Sequence, residues 1–159
     1  MMLTHIDSDG RPAMVDVSDK QVTARRASAQ TTLHLPKAVS ALFHDGDIMT
    51  KKGPVLSTAI IAGTMAVKRT FELIPFCHPI PIDSISFESR FEGEYQSQLV
   101  ITCTVKNLAK TGIEMEALTG VSIAALTVYD MCKALSHDIV IADTRLIAKS
   151  GGKQDVEKP

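Results

Sequence analysis

The chain has 159 residues, 45% apolar and 22% charged, which fits one globular domain with a sizeable core. A formal net charge of -1 excludes a general nucleic-acid coat, and an aromatic content of 4% without Trp excludes base-stacking platforms. Cys77, Cys103 and Cys132 are odd in number and far apart, so neither a disulfide framework nor a CxxC zinc motif is present and a reducing cytoplasm is expected.

Residues 1–12 are polar and acidic, unlike a secretory signal or transit peptide, and read as a mobile arm with Asp7-Ser8-Asp9-Gly10 as turn chemistry. MVDVS at 14–18 predicts a short strand, and the Thr-rich alternation over 23–35 predicts a second. Pro36 opens a short helix through Phe43, ended by the turn His44-Asp45-Gly46-Asp47. Lys51-Lys52-Gly53-Pro54 is a basic loop before a helix expected from Pro54 to about Leu73. Gly63, with Ala59, Ala62 and Ala66, gives that helix a small-residue face for close packing, and Lys68-Arg69 suit its negative end. The apolar run from Pro54 to Val67 is shorter than the ~20 residues that cross a bilayer, so no membrane association is expected. Pro75, Pro79 and Pro81 then enforce a rigid loop around Cys77 and His78.

Residues 83–92 and 95–107 carry strand patterns joined at Gly93-Glu94. A helix over 111–136 and a strand over 139–148 follow, then the basic KSGGK exit. The order predicts an α+β, ferredoxin-like βαββαβ sandwich with an N-terminal strand extension. It would occupy 13–153 as a single domain, with a mobile charged tail over 154–159. Two helices on one sheet face leave the other face to find a cover, which favours oligomers.

The chemistry gathers on the last helix. Leu118, Val121, Ala125, Val128, Cys132 and Leu135 form one apolar stripe, while Asp130 and Lys133 share a second face with Ile123 and Leu126. An acid and a base one turn apart on a mostly apolar face fit a cleft lined by a second subunit. The bland alternative is a solvated surface pair. Arg25-Arg26, Lys51-Lys52, Lys68-Arg69, Lys149 and Lys153 could be ordinary surface cations or together clamp a polyphosphate. KSGGK is no Walker A loop, since it lacks the GxxxxGK[ST] spacing and precedes no helix. Glu114 and Glu116 suit a helix N-terminus; a lone His78 and Cys77 read equally as structural filler, and their spacing offers no zinc site.

The stretches MVDVS, KKGPVLSTAIIAG, KRTFELIPFCHP, TGIEMEALTGVSIAALTVYDMCKA and RLIAKSGGK resemble the molybdenum cofactor biosynthesis protein C family, the cyclic pyranopterin monophosphate synthases. The resemblance spans nearly the whole chain. It implies a homo-hexamer, a trimer of dimers, with active sites at dimer interfaces. The implied reaction converts a cyclised dihydroguanosine triphosphate, made by a preceding radical enzyme, to cyclic pyranopterin monophosphate with release of diphosphate. The resemblance also implies Lys133, Asp130 and Lys52 as catalytic residues. Arg25, Cys77, His78, Glu114, Met115, Glu116, Lys149 and Lys153 become substrate-binding. No metal or cofactor is expected for the ring chemistry, although Mg2+ with the triphosphate is compatible with it. Pro54 and Ile60 depart from charged residues common at those positions in the family. The rival reading of the same residues is a nucleotide-sensing module without catalysis.

Overall fold

The computed structural model describes residues 9–158. Strand β1 (Thr23–His34) is followed by helix α1 (Lys37–Ser40) and three short strands, β2 (Phe43–His44), β3 (Asp47–Thr50) and β4 (Gly53–Pro54). Helices α2 (Val55–Lys68) and α3 (Thr70–Leu73) lead to β5 (Ser84–Glu92) and β6 (Gln98–Ala109). Helix α4 (Glu114–Cys132), β7 (Val140–Ser150) and β8 (Val156–Glu157) complete the order.

The main sheet runs β5-β6-β1-β7-β8, antiparallel throughout, and β2-β3-β4 form a separate small sheet. Taking β1, α2, β5, β6, α4 and β7 in turn gives βαββαβ, as expected, and β1 is the central strand. β1 and β6 pair without a slip from Thr23↔Ala109 to His34↔Gln98. Ala27, Ala29 and Leu33, opposite Val105, Cys103 and Leu99, therefore share one face and form the core against the helices. Hydroxyls and an amide pair in the middle of the reverse face: Ser28 bonds Thr104 at 2.8 Å and Gln30 donates to Thr102 at 3.2 Å. The centre of that face is a polar ladder. Uncovered apolar side chains also lie on the outer surface of the helices, with Ile61, Met65 and Leu126 about half or more exposed, while on the sheet Leu108 is 59% exposed.

α2 and α4 approach closely because two glycines meet. A Cβ on Gly63 would sit 2.8 Å from the Gly120 carbonyl, and one on Gly120 would sit 2.7 Å from Val67. α2 is shorter than expected, ending at Lys68. Thr70 Oγ1 donates to the carbonyls of Ala66 and Val67 and competes with the ladder there, and α3 restarts beyond Arg69. α4 is also shorter, so Leu135 lies past its end and is 43% exposed, outside the apolar stripe.

Three other expectations are corrected. Residues 14–18 form no strand; their polar groups bond locally, as Ser18 N–H does to Asp16, or to His78 and Lys110. The β5–β6 connection is longer than a two-residue hairpin, because Gly93, Tyr95 and Gln96 all take positive φ and β6 begins at Gln98. Within the tail expected to be mobile, Val156–Glu157 pair with Ala148–Lys149 as β8. Of the arm expected over 1–12, residues 1–8 lie outside the described residues. Among the described residues no helix is long and apolar enough to cross a membrane.

Asp47 fixes the start of α2, which lacks a cap of its own. Its Oδ1 accepts from Leu56 N–H at 2.7 Å and its Oδ2 from Ser57 N–H at 3.0 Å, meeting two orphan donors of the first turn. Burial raises the Asp47 pKa, but these donors outweigh it and hold the carboxyl below its ordinary value. Asp47→Ala should therefore cost about 1–2 kcal/mol in denaturant unfolding near neutrality. Because the folded pKa is depressed, the wild-type advantage should be present above the unfolded pKa of 3.8 and lost as pH falls through the folded value.

Candidate active site

Functional side chains gather at the two ends of α4. At its C-terminal end, Asp130 stands between two lysines. Its Oδ1 lies 2.7 Å from Lys133 Nζ and its Oδ2 3.2 Å from Lys52 Nζ, which also donates to the Asp130 main-chain carbonyl at 2.9 Å. The β3–β4 turn delivers Lys52: Thr50 Oγ1 accepts from Lys52 N–H and donates to the Gly53 carbonyl, and Gly53 takes φ 106°. The negative end of the α4 dipole also favours cations here. Lys133 lowers the Asp130 pKa first and Lys52 adds to it, while the hydrogen bond that Lys133 donates to Asp130 raises Lys133. The Lys133 side chain is 49% exposed in the single chain, so the carboxylate dominates.

At the N-terminal end of α4 lies an open pocket of about 470 Å³. Arg25 reaches it from β1, and Cys77 and His78 from the proline-rich loop. Glu114, Met115 and Glu116 come from the first turn of α4, Lys149 from β7, and Lys153 from the turn beyond. All the residues expected to bind substrate therefore line one cavity, while Lys52, Asp130 and Lys133 do not. Gly151 makes the convergence of β1 and β7 possible: it has φ 86°, and a Cβ there would overlap the Ala24 carbonyl.

The two carboxylates of Glu-Met-Glu differ in environment. Burial raises Glu114, yet its 2.8 Å hydrogen bond to Lys149 holds it below the ordinary range. Glu116 is 4% exposed, and burial, with the Glu114 charge adding, pushes it up to about 7. Burial and then Glu116 raise the Cys77 thiol, which disfavours a thiolate nucleophile. His78 Nε2–H donates to the Val15 carbonyl at 2.7 Å, so Nε2 carries a proton. Lys110 Nζ donates to the Ser18 carbonyl at 2.7 Å. Residues 15–18 are thereby tied along the pocket rim.

Sequence reading missed Lys20 and Lys110, both of which border the cavity. Lys110 carries the signal that marked Lys149, a cation in a loop at an element end. Among the described residues no group of three His, Cys, Asp or Glu side chains could hold a metal ion. Separated by 14 positions at 1.5 Å rise, Glu116 and Asp130 stand about 21 Å apart along the axis. No single small reactant can span both ends of one chain.

Comparison with known proteins gives a match to the model of the MoaC family over residues 14–152. A cyclic pyranopterin monophosphate synthase of Xanthomonas campestris pv. campestris (strain B100) is 58% identical over 97% of this chain and 92% of its own length. One of that name from Brevibacillus brevis is 50% identical over 95% of this chain and 92% of its own. A molybdenum cofactor biosynthesis bifunctional protein of Synechocystis is 50% identical over 99% of this chain, which spans 46% of that relative.

Proposed function

The chain belongs to the MoaC family, and from that premise we propose that it is a cyclic pyranopterin monophosphate synthase acting in molybdenum cofactor biosynthesis. It converts the cyclised dihydroguanosine triphosphate to cyclic pyranopterin monophosphate with release of diphosphate. The observation that carries the site assignment is the Lys52–Asp130–Lys133 cluster, two bases held on one acid at the end of a helix. Each working site combines this cluster from one copy with the α4 N-terminal pocket of another. Three facts support that reading: the separation along α4, the partial exposure of both lysines, and the uncovered Ile61, Met65 and Leu126 on the same helical layer.

A second copy over the cluster would desolvate Lys133 and oppose the upward pull of Asp130, which eases release of the proton that the amine must both accept and donate. Asp130 orients that amine. Lys52 serves the hydroxyl that attacks the α-phosphorus: the new P–O bond closes the cyclic phosphate, the old one breaks, and diphosphate leaves. Arg25, His78, Lys149 and Lys153 take up the phosphate charge, helped by Lys110 and Lys20. Met115 and Cys77 line the wall against the rings. No cofactor enters the ring chemistry, and Mg2+ would arrive with the triphosphate. The assembly is a homo-hexamer, a trimer of dimers, in the cytoplasm, supplied by the radical enzyme that makes the substrate.

The direct test is incubation with the cyclised triphosphate: diphosphate should appear, and binding without release would favour a nucleotide sensor. Glu116 supplies a second check. With a pKa raised from 4.5 to about 7 it remains a proton donor near neutrality, beside an ionised Glu114. Turnover should fall above pH 7 along a limb that Glu116→Gln removes. The raised pKa also means that wild-type stability should decline relative to Glu116→Gln as pH climbs from 4.5 to about 7, and no further above it. Parallel melting curves of the two proteins would read this.

A further inference from the structure

Among the described residues, two side-chain atoms are buried without a hydrogen-bond partner: Arg25 Nε and Asn107 Oδ1. They are neighbours. Residue 25 of β1 lies directly opposite residue 107 of β6 in the unbroken register of that pair. Cross-strand partners point to the same face with Cβ atoms roughly 4.5–5.5 Å apart. One atom only donates and the other only accepts, so each is what the other lacks. Buried polar groups in folded proteins are nearly always paired, and two complementary gaps at one cross-strand position call for a functional reason.

The remainder of each side chain shows which one is fixed. Asn107 is 3% exposed, and its Nδ2 donates to the Pro81 carbonyl at 3.0 Å, which dictates how the amide faces. Flipping it would break that bond. Arg25 is held less firmly, since its Nη2 reaches the Lys110 carbonyl only at 3.4 Å. Arg25 borders the pocket, whereas Asn107 does not.

We propose that Asn107 is a positioning residue for Arg25. When a phosphate group occupies the pocket, Asn107 Oδ1 accepts the Arg25 Nε–H, and the guanidinium presents its terminal nitrogens to the anion as a fixed fork. The same amide, through Pro81, ties the loop carrying Cys77 and His78 to β6, so one buried side chain sets two walls of the pocket. This deepens the reading of the pocket as the triphosphate side and rests on it.

The test uses the full chain as wild type, Asn107→Leu, Arg25→Lys and the double variant. Titration calorimetry with inorganic pyrophosphate accompanies steady-state kinetics. Asn107→Leu should weaken pyrophosphate binding and raise KM about tenfold or more, with kcat largely kept. Arg25→Lys retains the charge but has no Nε, so adding Asn107→Leu to it should cause no further loss. Additive losses, or unchanged pyrophosphate affinity in Asn107→Leu, would overturn the proposal. In case the leucine variant folds poorly, Asn107→Asp keeps an oxygen facing Nε in the same volume. With pyrophosphate bound, the Arg25 Nε–H resonance should remain downfield, as a hydrogen-bonded proton does, in Asn107→Asp and move upfield in Asn107→Leu; an upfield shift in both overturns the proposal. A wild-type protein that releases no diphosphate from the cyclised triphosphate would remove the enzymatic reading instead, and the Arg25 resonance would still decide the role of Asn107.

Discussion

Lys133→Ala should reduce formation of cyclic pyranopterin monophosphate by about 100- to 10,000-fold, the loss expected when a positioned acid/base is removed. Its fold should be nearly untouched, because the side chain is half-exposed and ion-paired with Asp130 at the helix end, and substitutions of that kind stay within about 0.5 kcal/mol. The informative version mixes two inactive proteins. Lys133→Ala loses the C-terminal cluster of α4, and Arg25→Ala loses the pocket at the other end. If each site draws one end from each of two copies, a mixed dimer contains one site with both defects and one with neither. Random mixing through a two-fold interface should then restore about a quarter of wild-type turnover. If both ends of one chain served one site, no mixture would recover activity. The measurement is diphosphate release after co-refolding at equal concentrations.

Gly63→Val should be the most disruptive single substitution on the helical layer. Its Cβ would lie 2.6 Å from the Phe87 ring and 2.8 Å from the Gly120 carbonyl. Phe87 can rotate, but the carbonyl is backbone and cannot yield unless α2 moves off α4. Overpacking of this kind costs about 1–3 kcal/mol, a fall of roughly 2–12 °C in Tm at 2–4 °C per kcal/mol for a chain of this size. The consequence reaches the chemistry, because the loop that opens α2 carries Lys52 to Asp130. Turnover should fall beyond what the unfolded fraction explains, with a larger effect on kcat than on substrate affinity. A variant that melts lower yet turns over normally would mean that the Lys52–Asp130 contact tolerates the shift.

The alternation in β1 and β6 was legible because one face packs on helices and the other is polar, the situation in which a period of two stands out. The site residues were legible as types in loops and at helix ends, and those expected to bind substrate do meet in one cavity. The failures have local causes. Residues 14–18 look like a strand by alternation, yet Val15 and Ser18 give their carbonyls to His78 and Lys110, contacts that no local pattern encodes. Tyr95 and Gln96 adopt positive φ, which their side chains give no reason to expect. The cap of α2 comes from Asp47, outside the helix, where a search of the residue before the helix finds only Pro54.

By itself the sequence determined the kinship of the chain, the βαββαβ order and the identity of nearly every candidate side chain, because periodicity and residue chemistry are local properties. Only the tertiary structure decided how those side chains divide. It brought Lys52 onto Asp130 across a separation of 78 positions and set Arg25 opposite Asn107. It also placed the cluster and the pocket at opposite ends of one rigid helix. A helix advances by a fixed rise per residue and cannot fold back on itself, which is why the proposed site draws its two halves from neighbouring copies.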